Sequence, residues 1–135
     1  GTNDFGHGAA PLGTTGDRTY STFYGAMHCM LTDMINKYPA ARIVFMTPLH
    51  RWFEERPTGD GFKSPGVIAP LQAYVDIIRE ACEYYGIPVV DLWAESGLQP
   101  ALEIIRETYM PDGLHPNRNG HRRIADMLRS AMERL

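Results

Sequence analysis

The sequence predicts an α/β fold built on a parallel sheet, and three observations carry that expectation. Helical and strand-like segments alternate along the chain as helix, strand, helix, strand, helix. The two strand candidates are short runs: Arg42-Ile43-Val44-Phe45-Met46-Thr47, of the kind found buried on both faces of a parallel sheet, and Ile87-Pro88-Val89-Val90-Asp91-Leu92. Between them, Leu71, Tyr74, Val75, Ile78, Cys82 and Tyr85 form one helical stripe, with Gly86 placed to cap its end.

The other elements follow in order. Residues 5–22 are rich in Gly, Thr and Pro with little periodicity, which marks a loop. Met27, Leu31, Met34, Ile35 and Tyr38 then fall at helical spacing over residues 23–38, and Pro39 closes that helix. A second loop, residues 48–66, carries His50, Arg51, Trp52 and Phe53. Residues 98–109 read as a short helix. A last helix from about Asn117 is expected to bury Ile124, Met127, Leu128 and Ala131. Two parallel strands cannot shield themselves, because such a sheet needs both faces and both edges covered. The expectation is therefore that the 135 residues are the C-terminal portion of a single domain whose central strands come from an earlier segment. Gly1–Asp4 is then the turn leaving one of those strands, at the sheet edge where open α/β sheets place their sites.

Composition excludes several classes. The hydrophobic fraction of 44% suffices for a packed core, and the net charge of -3 gives no electrostatic reason to bind nucleic acid. No apolar run reaches the roughly 18 residues of a membrane span. The opening residues show no secretory leader, although cleavage at a motif would remove one, so the compartment stays open. Cys29 and Cys82 are too few for a disulfide framework and read as small buried hydrophobes. His7, His28, His50, His115 and His121 lack the clustered spacing of a metal site, with His115 and His121 six apart across a helix start; His121 is expected to cap or pack that helix. No cofactor is expected. Oligomeric state is left open.

Two blocks carry the chemistry. In Asp112-Gly113-Leu114-His115-Pro116-Asn117, a carboxylate three residues before an imidazole can reach its Nδ1–H, fix the tautomer and stabilise the imidazolium. In Gly1-Thr2-Asn3-Asp4, the Asn3 carboxamide donates hydrogen bonds without titrating and so can stabilise an oxyanion; losing such a donor costs roughly 3–4 kcal/mol of transition-state stabilisation. Read singly, the first block is more readily a surface turn that starts a helix, and the second an ordinary Asx turn. Their pairing, about 110 residues apart, narrows the choice.

The two blocks together resemble those of the SGNH (GDSL) ester hydrolases. Phe5-Gly6-His7-Gly8, the Thr19–Gly25 run and Thr47-Pro48-Leu49-His50-Arg51 resemble a bacterial subgroup of them. The resemblance implies a three-layer α/β/α, flavodoxin-like parallel sheet, incomplete in this chain. It implies a serine esterase or acyl hydrolase in which His115 is the general base, Asp112 its partner and Asn3 an oxyanion donor. The substrate is then a small ester, such as an acetyl group on carbohydrate or a lipase-like acyl ester. His50 and Trp52, following a strand at the site edge, are expected either to contact its acyl or sugar moiety or, equally, to belong to a loop packed on its own body. The family's Gly-Asp-Ser block is absent, and Ser21, Ser64, Ser96 and Ser130 lack its context, so the nucleophile is expected from a missing N-terminal segment of the same domain. A non-catalytic remnant or binding module on the same fold is the alternative.

Overall fold

The computed structural model describes residues 1–8, 11–55 and 69–135. In chain order its elements are α1 (Thr2–His7), α2 (Phe23–Lys37), β1 (Phe45–Met46), α3 (Leu71–Tyr84), β2 (Val89–Val90), α4 (Leu92–Glu95), α5 (Glu103–Tyr109) and α6 (Arg118–Met132). The strands form a two-stranded parallel sheet, as the apolar runs led one to expect. The chain divides into two compact units, one of Gly1–Phe45 with Phe53–Val89, the other of Met46–Trp52 with Val90–Leu135.

In the first unit α3 is the hub. Its Leu71, Tyr74, Val75, Ile77, Ile78, Ala81 and Cys82 are all buried, so the expected stripe holds as far as Cys82 and is widened by Ile77 and Ala81, while Tyr85 lies just past the helix and is half-buried. Each of the buried Leu, Val and Ile side chains contributes about 1.5–3 kcal/mol. Tyr74 receives α2 through an edge-on contact with Phe23, ring centroids 4.9 Å apart, and α1 through Phe5 at 6.3 Å. The stripe of α2 is displaced from the expected one. Phe23, Met27 and Leu31, at i, i+4 and i+8, are buried together with His28, whereas Met34 and Tyr38 are exposed. Thr22 caps this helix by accepting the Gly25 N–H at 3.1 Å. His28 is packed edge-on between Tyr84 and Tyr85, and its Nδ1 is 3.0 Å from the Tyr85 hydroxyl. Burial, followed by the nearby Arg18 charge, pushes its pKa below the ordinary imidazole value.

The expectation of a loop from residue 5 and a turn at Gly1–Asp4 is corrected by α1. Six residues are too few for a periodic stripe to show in sequence, and the helix is marked instead by Gly8 in the left-handed conformation at its end, φ 58°. Strand lengths are corrected too. Only Phe45–Met46 and Val89–Val90 pair, with Phe45 N–H donating to the Pro88 carbonyl at 3.0 Å in the first unit and Thr47 N–H to that of Val90 at 3.2 Å in the second. β1 is half-buried and exposed rather than buried on both faces, since among the described residues its one strand neighbour is β2.

In the second unit Asp91 ends β2 and begins α4, accepting from the Ala94 N–H at 3.1 Å. The Asp91 carboxylate also accepts from the buried Thr47 hydroxyl at 2.9 Å, and Thr47 Oγ1 in turn accepts from the Trp93 N–H at 3.0 Å. A polar residue closing an apolar run thus fastens the segment that carries His50 and Trp52. The expected helix over 98–109 is confined to α5. α6 starts where expected, but Ile124, Met127, Leu128 and Ala131 are half-buried and only Gly120 is buried. Cys82 is buried as expected; Cys29 is only half-buried, its thiol donating to the Arg18 carbonyl at 3.3 Å.

Candidate active site

The candidate site is built on the turn between α5 and α6. Asp112 Oδ1 accepts two backbone hydrogen bonds, from Leu114 N–H at 2.8 Å and His115 N–H at 2.7 Å. These fold the turn back so that Oδ2 lies 2.6 Å from His115 Nδ1. Burial alone raises the Asp112 pKa, but the hydrogen bonds from the His115 ring, the His115 N–H and the Leu114 N–H outweigh it and bring the carboxyl down to about 2. Asp112 is therefore ionised at neutral pH and can only accept, so the proton of the neutral ring sits on Nδ1 and Nε2 is the basic nitrogen. The side chains remain 76% and 55% exposed for His115 and Asp112. An ion pair this open adds little to stability. What it fixes is the tautomer.

The turn is anchored from both sides. On one side Asn117 caps α6, its side chain accepting from the Asn119 N–H at 2.9 Å and the Gly120 N–H at 3.2 Å. The same residue donates backward, from its backbone N–H to the Tyr109 carbonyl at 2.8 Å and from Nδ2 to the Thr108 carbonyl at 2.9 Å. Capping therefore falls to Asn117; His121, expected to cap or pack, is exposed. Gly120 lies against the end of α5. A Cβ there would sit 2.7 Å from Pro116 Cβ and 2.9 Å from the Tyr109 carbonyl oxygen. Gly120→Ala is expected to cost about 1–3 kcal/mol as overpacking, read as a lowered midpoint in chemical denaturation with the slope unchanged.

On the other side stands Trp52. Its backbone N–H donates to the Gly113 carbonyl at 2.7 Å, while the Gly113 N–H donates to Met110. Gly113 holds φ 76°, and a Cβ on it would lie 2.7 Å from Trp52 Cβ and 3.1 Å from the indole Cε3. Only glycine allows this approach. The Arg106 guanidinium lies over the Trp52 ring, 4.1 Å from its centroid, and donates to the Pro100 carbonyl at 2.8 Å. Arg123 ties α6 to α5 similarly, donating to the Tyr109 hydroxyl at 2.8 Å and stacking on its ring.

The structure thus brings Trp52 onto the Asp112–His115 turn, although 60 positions separate Trp52 from Asp112. His50 is half-buried and stacked on Trp93, ring centroids 3.8 Å apart. Asn3 belongs to the first unit, where it is exposed on the first turn of α1. Of the serines, Ser96 is buried with its hydroxyl accepting from the Leu98 N–H, Ser21 and Ser130 are exposed, and Ser64 lies outside the described residues, as does the stretch of the 48–66 loop from residue 56 onward. Among the described residues no three His, Cys, Asp or Glu side chains gather as a metal site, and no helix is long and apolar enough to cross a membrane. Sequence reasoning missed Arg106. Gly113 was the one available signal, since a glycine inside a catalytic-looking turn marks close approach by another segment.

Comparison with known proteins bears on the fold and the family. A protein from Lactobacillus plantarum has a solved structure that superposes with a TM-score of 0.85 at 32% identity, over 97% of this chain and 62% of that one. The chain thus spans less than two thirds of that protein. A possible lipase from Chitinophaga pinensis matches with a TM-score of 0.71 at 22% identity, over 99% of this chain and 70% of its own. The esterase domain of the ORF1 protein of the zebrafish ZfL2-1 retrotransposon matches with a TM-score of 0.58 at 19% identity, over 80% of this chain and 59% of its own. No curated protein matches the sequence. The model of the GDSL-like Lipase/Acylhydrolase family matches residues 1–123, and the chain belongs to that family.

Proposed function

We propose that this protein is a serine ester hydrolase in which the Asp112–His115 pair is the acid–base machinery. The carrying observation is the 2.6 Å contact between Asp112 Oδ2 and His115 Nδ1, on a turn that leaves the imidazole open to substrate. The family, and the esterase domain among the structural matches, support the reaction class. In this reading a serine outside these 135 residues attacks the ester carbonyl while His115 Nε2 takes its proton. The carbonyl oxygen becomes an oxyanion, for which the family resemblance assigns Asn3 as a donor. Collapse expels the alcohol, protonated by His115, and leaves an acyl-serine. Water, deprotonated by His115, releases the acid and restores the serine. Asp112 stays ionised throughout and stabilises each imidazolium.

Small acyl esters, including acetyl groups on carbohydrate, are the proposed substrates. The 42% exposure of Trp52 beside the turn supports it as a contact residue; His50 is half-buried with its ring on Trp93. An apolar indole face suits an acyl chain or a sugar ring alike. The test is hydrolysis of p-nitrophenyl acetate by the intact natural polypeptide, followed by labelling with a serine-directed fluorophosphonate and mapping of the modified residue. Turnover with a labelled serine outside residues 1–135 is expected. A label on Ser21, Ser64, Ser96 or Ser130 would overturn the assignment of the nucleophile.

A further inference from the structure

We infer that Arg106 is a positioning residue for the general base, acting through Trp52 and Gly113 rather than by touching substrate; this rests on the esterase reading of the same site. The chain of contacts is continuous. Arg106 is held at one end by its hydrogen bond to the Pro100 carbonyl at 2.8 Å, and its guanidinium plane covers the Trp52 ring at 4.1 Å. Trp52 meets the turn twice, by its backbone N–H on the Gly113 carbonyl at 2.7 Å and by its Cβ and indole edge, which fill the space a Gly113 side chain would need. Gly113 lies between Asp112 and the two N–H groups that Asp112 gathers.

The reason such support matters is the exposure of the pair. The His115 side chain is 76% exposed, so packing does not set where Nε2 lies; the placement of the turn does. Beyond its own hydrogen bonds and the Asn117 anchor, the turn leans on an indole over which a guanidinium is stacked. Misplacement of a reacting group by about 1 Å can cost on the order of 100-fold in rate. A planar guanidinium is needed for the stack, and a lysine ammonium at the same charge does not reproduce it.

The experiment compares Arg106→Ala and Arg106→Lys with wild type in the intact polypeptide. The expected result is a kcat on p-nitrophenyl acetate about tenfold lower in Arg106→Ala, with KM changed by less than about twofold, and only partial recovery in Arg106→Lys. The second readout is the carbon-13 titration of the Asp112 carboxyl, which needs no turnover. Its midpoint, about 2 when the turn is closed, is expected to rise in Arg106→Ala as the hydrogen bonds from Leu114 and His115 loosen. An unmoved midpoint, or a loss confined to KM, overturns the positioning role. Wild-type protein that hydrolyses no ester defeats the esterase reading instead, while the Asp112 midpoint still decides whether Arg106 governs the turn.

Discussion

Replacing His115 by alanine is expected to lower kcat for ester hydrolysis roughly 10⁴- to 10⁶-fold, the range over which general bases of serine hydrolases operate. The size follows from the number of proton transfers assigned to one nitrogen: from serine, to the alcohol, from water, and back to serine. Stability should barely change, by less than about 0.5 kcal/mol, because the ring is open to solvent and its hydrogen-bond partner is a carboxylate that keeps two backbone donors without it. The measurements are steady-state kinetics on p-nitrophenyl acetate and chemical denaturation of the same preparation. Undiminished turnover in a folded His115→Ala protein would end the assignment of the base.

Asp112→Asn is the sharper experiment, since it separates the two oxygens of one side chain. An asparagine Oδ1 still accepts from the Leu114 and His115 N–H groups, so the turn should persist. Its amide would donate to His115 Nδ1 where the carboxylate accepted, shifting the ring proton to Nε2 and removing the base. A loss of about 10⁴-fold in kcat is expected from the wrong tautomer. Asp112→Ala gives up both turn hydrogen bonds as well, and should add about 1–2 kcal/mol of destabilisation that Asp112→Asn avoids. Equal stability of the two variants would show that Oδ1 does not hold the turn. The same carboxyl sets a pH dependence with a definite sign. Its folded value, about 2, lies below the ordinary 3.8, so across that interval the unfolded chain binds more protons and stability rises with pH. The contribution is complete above about pH 4 and disappears as the pH falls through 2. In Asp112→Asn that part of the acid sensitivity should vanish.

The sequence made the α/β class readable because two of its signals are local. An apolar run needs no partner to be seen, and the α3 stripe repeats often enough to show its period. The motif turn was readable for the same reason, since Asp112 reaches His115 across three residues. The features that escaped are those fixed by distant neighbours. α1 is too short for periodicity, and α2 buries Phe23, Met27 and Leu31, with Phe23 against Tyr74 of α3, while Met34 and Tyr38 are exposed. Both strands read longer than they are, because apolar sequence shows that a segment wants burial without saying how much of it finds a hydrogen-bonding neighbour. At the site, Arg106 and the landing of Trp52 on Gly113 depend on contacts across more than fifty residues. His50 and Trp52 look alike as candidates in sequence, and each proves to have a ring partner, Trp93 for His50 and Arg106 for Trp52.

Asn117 closes two helices at once, completing the start of α6 with its side-chain oxygen and the end of α5 with both of its N–H donors. Transplanting the base into another scaffold, or shuffling segments between relatives, would therefore succeed only with Thr108 to Gly120 moved as one cassette. A crossover placed between Asp112 and Asn117 keeps every residue of the motif in name while cutting the fastening that gives the imidazole its address.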